Sequence, residues 1–352
     1  MSKLIKIDQT TALPVSPATL GQRALRALRA LMAALPWAII GGLLWAGLFI
    51  KPQPVGATVT PPLLERRDHF YGLALTPDGE VWASGSNGKI LAFAADGQLR
   101  RLATPTERTL QDIAAWDSSH AVAVGNDGVV LFSLDGGRLW QAAANVPRSQ
   151  IANKLNRVRI AAGGLAIATG EMGALLISHD YGQSWLRLRE EEDVAWNDVA
   201  ILDGGRLVVV GEFGRILRSD DLGQHWEAIE APLPSSLMSV QFRDAQNGVA
   251  VGLEGALLVT SDAGRHWQNI DLGIGDHLFD VLWSPTQARW FATGSLGRWV
   301  SGSGEADSWK VGVLDDRNLS WHTRALAVGN DLWLAGADLG RWNGRRWSPL
   351  KP

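Results

Sequence analysis

Apolar residues alternate with small or polar ones in short runs along most of this chain, and glycines punctuate the runs at regular intervals. Residues 197–202, 206–210, 215–218 and 226–229 make up one such set, and alternation with a period of two predicts half-buried β-strands. The set recurs. Between its second and third runs stands a Gly-x-x-Gly turn, which opens at Gly85, Gly125, Gly170, Gly211, Gly252 and Gly294, with a looser copy at Ala337. These opening positions lie 40, 45, 41, 41, 42 and 43 residues apart. Four short strands per unit at a period of roughly 40–45 residues predict propeller blades. Seven units therefore predict an all-β, seven-bladed β-propeller over residues 63–350.

A second pattern falls between the third and fourth runs. It reads Ser-x-Asp-x-Gly-x-x-Trp at Ser133/Asp135/Gly137/Trp140, Ser178/Asp180/Gly182/Trp185 and Ser219/Asp221/Gly223/Trp226, and Thr replaces Ser at Thr260/Asp262/Gly264/Trp267. The chemistry suits a hairpin. Glycine takes the positive φ of a tight turn, and Asp and the hydroxyl residue bond turn backbone groups. Trp begins the next strand and covers the hairpin's apolar underside. The box is expected to be structural. Blade 1 retains only a vestige at Asp96-Gly97, and blades 6 and 7 keep Trp309 and Trp347 without the Ser and Asp pattern.

One stretch breaks the strand pattern. Residues 30–50 carry no charge, enough for a helix across about 30 Å of hydrocarbon. Before it, residues 1–29 hold Lys3, Lys6, Arg23, Arg26 and Arg29 against Asp8 alone. The length of the apolar run and of its tail favours a retained single-pass anchor over a cleaved signal. Charge asymmetry places the tail in the cytoplasm and the propeller on the far side. Residues 51–62 (KPQPVGATVTPP) read as a Pro-rich spacer.

Composition narrows the function classes. The 352 residues include no Cys, which excludes disulfides, thiolate metal sites and a cysteine nucleophile. The formal net charge is −3, and the region after the basic tail is more acidic still, which does not suit nucleic acid. No phosphate-cradling glycine loop opens a helix, so nucleotide binding has no support. The histidines show no metal-ligand spacing, and no cofactor is expected.

The full pattern, L-x-D-V-x-F…G-x-x-G-x-I-L-x-S-x-D-x-G-x-x-W, resembles the bacterial neuraminidase-repeat (Asp-box) propellers over residues 63–347. Among these the chain is most similar to the photosystem II assembly and stability factor family, which also occurs in non-photosynthetic bacteria. The resemblance implies a non-enzymatic accessory that docks on, assembles or stabilises an integral membrane protein complex. It also implies a bacterial inner-membrane protein with a periplasmic propeller. By analogy the partner is a resistance-nodulation-division type transporter, or photosystem II in a photosynthetic host.

The alternative within the Asp-box propellers is a glycoside hydrolase or a carbohydrate-binding propeller. A sialidase-like site needs a Tyr nucleophile backed by Glu, and Tyr71 is the one suitably placed tyrosine. Asp112, Asp198 and Asp280 stand at the head of inner strands, where Arg157 and Arg324 hold the equivalent positions, so a self-satisfying ring of charges is expected. For partner binding the candidates are cations at the Gly-x-x-Gly side. Lys89, Arg298 and Arg341 fall on three consecutive blades, Arg324 opens the inner strand of blade 7, and Arg215 follows the turn of blade 4. Lys89, Arg298, Arg341 and Arg324 together predict a basic sector on an otherwise acidic domain, with Arg215 a separate candidate on blade 4.

Overall fold

The computed structural model describes residues 20–49, 62–317 and 319–350. Most of the basic tail and nearly all of the Pro-rich spacer lie outside the described residues. The chain divides into two units, residues 1–61 and 62–352.

In the first unit a single helix, α1, spans Leu20–Phe49. It begins ten residues before the predicted apolar span. The cause is propensity: Leu, Ala and Arg fill residues 24–31, and all three are strong helix formers. Arg23, Arg26 and Arg29 of the basic tail therefore sit about one turn apart on the helix. Pro36 lies inside α1, which is long and apolar enough to cross a membrane.

The second unit is the predicted seven-bladed propeller. Each blade is a four-stranded antiparallel sheet whose strands follow chain order. Blade 4, for example, runs Trp196–Leu202, Arg206–Gly211, Ile216–Ser219 and Glu227–Ile229. The apolar residues of the strands gather into seven clusters, one between each pair of neighbouring blades. Among the described residues no strand is shared between the first and last blades. The ring closes instead by packing Phe70, Leu73 and Phe93 of blade 1 on Trp333, Ala335 and Leu339 of blade 7.

The boxes repeat one hydrogen-bond scheme. The hydroxyl accepts the N–H of the box glycine: Ser133 from Gly137, Ser178 from Gly182 and Ser219 from Gly223 at 2.9 Å, and Thr260 from Gly264 at 3.1 Å. The same hydroxyl donates to the box carboxylate, at 3.0 Å for Asp135, 2.8 Å for Asp180 and Asp221, and 2.9 Å for Asp262. Asp180 Oδ1 in turn accepts the Ser184 N–H at 3.0 Å.

Two box residues differ from their expected roles. Gly137, Gly182, Gly223 and Gly264 do have positive φ, at 77–85°, but the turn is only half of the demand on them. Each also seats against the preceding blade. A Cβ on Gly137 would lie 2.7 Å from the Trp82 ring, one on Gly223 3.1 Å from Leu188, and one on Gly264 3.1 Å from Val208. The tryptophan stands just before the fourth strand, not within it: Trp226 precedes Glu227–Ile229, and Trp267 precedes Gln268–Asn269. Its ring fills the space between blades as well as covering its own hairpin. Trp140, Trp185 and Trp267 are buried between their own blade and the one before, and Trp226 is half-buried. The indole N–H of Trp267 donates to the Gly264 carbonyl at 3.1 Å, as that of Trp185 does to Gly182 at 2.9 Å.

Blade 6 corrects the expectation that its box is lost. Ser303 Oγ donates to Asp307 Oδ1 at 2.5 Å, and Trp309 Nε1 donates to the Ala306 carbonyl. The same parts are present at a different spacing.

The Gly-x-x-Gly turns hold a conformation that glycine alone does not explain. Their third residue is left-handed in every complete copy: Asn87, Asp127, Met172, Phe213, Glu254 and Leu296 have φ of 53–57°. The closing glycine is also left-handed, and a side chain has no room there. A Cβ on Gly214 would lie 2.3 Å from the Leu233 carbonyl oxygen.

Candidate functional site

The centre of the ring is built by one irregularity repeated seven times. Every inner strand shifts register between its first and third residues, as between Trp196 and Asp198 in blade 4. Such a bulge leaves the second residue unpaired and re-aims its neighbours. The second residues, Tyr71, Gln111, Asn156, Asn197, Met238, Phe279 and Thr323, are half-buried and line a cavity of about 350 Å³ at the Gly-x-x-Gly end of the channel. Arg157 also lines it, with Lys154, Glu171 and Glu212.

The third residues form a buried ring of Gly72, Asp112, Arg157, Asp198, Ser239, Asp280 and Arg324. Arg159, two residues beyond Arg157, completes it. Each aspartate first bonds the backbone of the next blade: Asp112 accepts the Val158 N–H (3.0 Å), Asp198 the Val240 N–H (3.1 Å) and Asp280 the Ala325 N–H (2.8 Å). That is the physical reason for Asp at this point of the repeat. The arginines then neutralise the carboxylates across the channel. Arg159 grips Asp198 with Nε at 2.9 Å and Nη2 at 2.6 Å. Arg157 reaches Asp280 at 3.1 Å, and Arg324 reaches Asp112 at 3.2 Å and Asp280 at 3.4 Å. Three acids face three bases, so the plug is formally neutral.

Its members titrate differently. Burial alone would raise Asp198, but Arg159 and Arg157 outweigh it and hold the carboxyl well below the usual range. At Asp112 burial wins over Arg324 and Arg157, and the carboxyl is pushed up. Blade 1 adds no side chain, because a Cβ on Gly72 would fall 2.6 Å from Asp112 Cα.

The predicted basic sector does not form one exposed surface. The Lys89 side chain is only 2% exposed, and its Nζ lies 2.5 Å from Asp68. Arg298 is held by Asp276 at 2.6 Å, and Arg324 is in the channel plug. Arg215 is half-exposed beside Glu192 at 3.5 Å. Arg341 is exposed and lies 5.8 Å from the Trp333 ring centre. Strand-end cations find neighbouring acids or aromatic faces, as desolvation requires of any that are buried.

The box residues stand apart from the channel. Gly137, Gly182, Gly223 and Gly264, with Trp140, Trp185, Trp226 and Trp267, line neither of its mouths. Trp267 instead borders a cleft of about 570 Å³ between blades 5 and 6, beside Thr260 and Asp262.

Tyr71 stacks on Trp321 with ring centres 5.8 Å apart, and burial pushes its hydroxyl above the ordinary value. That is opposite to what an activated nucleophile needs. Sequence reasoning missed Arg159 and the ring of second residues. The second residues recur at a fixed offset from the start of each inner strand, so their signal was available; Arg159 has no counterpart, since Ala74, Ala114, Ala200, Gln241, Leu282 and Leu326 stand at its offset.

Fold and channel together define the class: a seven-bladed propeller with a plugged central channel. Residues 93–231 match the family model described as photosynthesis system II assembly factor YCF48. Among solved structures, the chain is similar to YCF48 bound to a D1 peptide. That match has 16% identity and a TM-score of 0.62, and covers 77% of this chain and 91% of that one. YCF48 from Cyanidioschyzon merolae gives 14% identity and a TM-score of 0.63, with 78% and 94% covered. PorZ, a surface component of the type-IX secretion system of Porphyromonas gingivalis, gives 16% identity and a TM-score of 0.61, with 81% and 38% covered. Likenesses at this identity establish the fold. No curated protein sequence matches the chain.

Proposed function

We propose that this chain is a non-catalytic docking protein, anchored in a membrane by α1, which recognises a segment of an integral membrane protein and assists assembly or stability of its complex. The observation that carries the reading is the match of residues 93–231 to the YCF48 family, one of whose members is solved with a D1 peptide. The contact surface in this reading is the Gly-x-x-Gly face. Its vestibule mixes aromatic, thioether and amide groups (Tyr71, Phe279, Met238, Asn156, Asn197), a set that can grip an extended peptide by stacking and backbone hydrogen bonds. Around it Ile151, Phe213 and Leu319 are exposed by 70–77%. The propeller is periplasmic and the helix N-terminus cytoplasmic, by the charge asymmetry about the span. The partner is a transporter of the resistance-nodulation-division type, or photosystem II in a photosynthetic host. Arg215 and Arg341, the two exposed cations among the candidates, steer encounter more than they hold the complex.

A photo-crosslinking residue at Met238 or Phe213 in the intact, membrane-embedded protein tests this. Adducts to an integral membrane protein are expected, and Phe279→Glu should abolish them while leaving the urea midpoint unchanged. Adducts only to soluble proteins, or adducts unaffected by Phe279→Glu, overturn the reading.

A further inference from the structure

The two ends of the channel differ in chemistry. At the box end a second cavity, of about 320 Å³, is walled by apolar residues of the inner strands, among them Leu75, Ala115, Ile160, Ile201 and Phe242. Gln241 is the one uncharged polar side chain in its wall. Two charged groups reach it, Arg159 and Arg324. The three aspartates of the plug line neither end.

That asymmetry follows from the hydrogen bonds. Asp198 and Asp280 turn both oxygens toward backbone N–H groups, Ser239 and arginine. Their acceptor capacity is taken up inside the plug. Arg324 engages its acids through two long bonds, 3.2 and 3.4 Å, and has further N–H donors. Arg159, although paired, keeps 20% of its side chain exposed. A formally neutral plug thus presents donors to an apolar throat. An apolar wall with positive groups at its base selects a ligand with an apolar body and one anionic end.

We propose that the box-side mouth of the channel binds a fatty carboxylate, a single aliphatic chain lying in the throat with its carboxylate on Arg159 and Arg324. The volume is near the lower end of small-molecule sites, about 300–1,000 Å³, and suits a medium-length chain better than a diacyl lipid. The site lies at the opposite end of the channel from the docking face above and does not depend on it.

Calorimetric titration of the full chain in neutral phosphatidylcholine nanodiscs, with empty discs as the blank, tests the assignment. Decanoate is the probe, with decanol and decylamine as controls. One decanoate per chain is expected, with both controls at least tenfold weaker. Leu75→Glu, at a rim position 40% exposed, should weaken decanoate at least tenfold at an unchanged urea midpoint. The proposal is overturned if decanoate adds nothing beyond the blank, if decanol binds as tightly, or if Leu75→Glu binds like the wild type. It is also overturned if dihexanoyl phosphatidylglycerol or an apolar peptide with a free C-terminal carboxylate is bound in preference to decanoate. The comparison of decanoate with decanol needs no variant, so a folding defect cannot rescue the idea.

Discussion

Removing Asp198 puts the channel plug to a quantitative test. Its carboxylate accepts from Arg159 twice, from the N–H groups of Val199 (2.8 Å) and Val240 (3.1 Å), and from Ser239 Oγ (2.8 Å). Asp198→Ala leaves Arg159 without its bidentate partner, and breaking a buried pair from one side costs about 3–5 kcal/mol. The orphaned Val240 N–H adds about 1–3 kcal/mol if water cannot reach it. Because Arg159 is partly open to the box-side mouth, the lower ends apply, and a loss of about 4 kcal/mol is expected. That is a large part of a domain stability of about 5–15 kcal/mol.

The opposite deletion should cost less. In Arg159→Met, Asp198 keeps both backbone donors and Ser239, and Arg157 Nε stays 3.9 Å away. A loss of about 1–3 kcal/mol follows. Combining Asp198→Asn with Arg159→Met removes both charges and retains an acceptor for Val240, so stability should return to within about 1 kcal/mol of the wild type. Urea titration of the full chain, followed by tryptophan fluorescence, reads all three as midpoint shifts at constant slope. If Asp198→Ala unfolds within about 1 kcal/mol of the wild type, or Arg159→Met costs as much as Asp198→Ala, the account of the plug is wrong.

Three other outcomes are expected. Asp180→Ala removes the box bonds to Ser178, Gln183 and Ser184 at a half-exposed site and should cost about 1 kcal/mol with partner adducts unchanged; loss of adducts at an unchanged midpoint would assign the box a functional role. At Asp262 the N–H and imidazole of His266 outweigh burial and hold the carboxyl at about 2, so its stabilisation is complete above the unfolded carboxylate value of about 4 and is lost as pH falls toward 2; the urea midpoint of Asp262→Asn should fall less than that of the wild type across this window. Phe213 is 70% exposed at a φ of 57°, so Phe213→Asn should raise stability by about 0.5–1 kcal/mol while weakening partner adducts; a variant that is no more stable would show that the turn stores no strain.

The architecture was legible in the chain because its determinants are local. A glycine at a closed turn or an Asp beside a Ser does the same work in every blade, so its period survives in sequence. The packing half of that work was not legible: Gly137 and Gly264 meet Trp82 and Val208, which belong to other blades. The blade 6 box escaped because Ser303 and Asp307 keep the bond and change the spacing. Partners of the charged residues were less legible, since they are set by closure of the ring. Arg157 meets Asp280, 123 positions away, and nothing in either neighbourhood encodes the other. Lys89 looked like a free strand-end cation because its partner, Asp68, precedes the first strand and has no counterpart in the repeat. Absence of charge marks only the apolar span at 30–50, whereas helix propensity carries α1 further back, through Arg23, Arg26 and Arg29.

The plug also answers a mechanical question that the blades raise. With no strand shared between blades 7 and 1, the seam between them rests on side-chain packing, and such a ring is weakest there. Gly72 is the one ring position without a side chain, and it lies beside that seam. The backbone of Asp112 in blade 2 closes up against Gly72, and Arg324 of blade 7 reaches past blade 1 to the Asp112 carboxylate. From the outside, residues 64–68 cross the same seam, with Leu64 packed among the residues of blades 1 and 7 and Asp68 tied to Lys89. The seam is therefore bridged at the channel by an ion pair and at the rim by Leu64, whose segment the Asp68–Lys89 pair ties to blade 1. The same side chains that tie the seam also divide the channel into its two mouths.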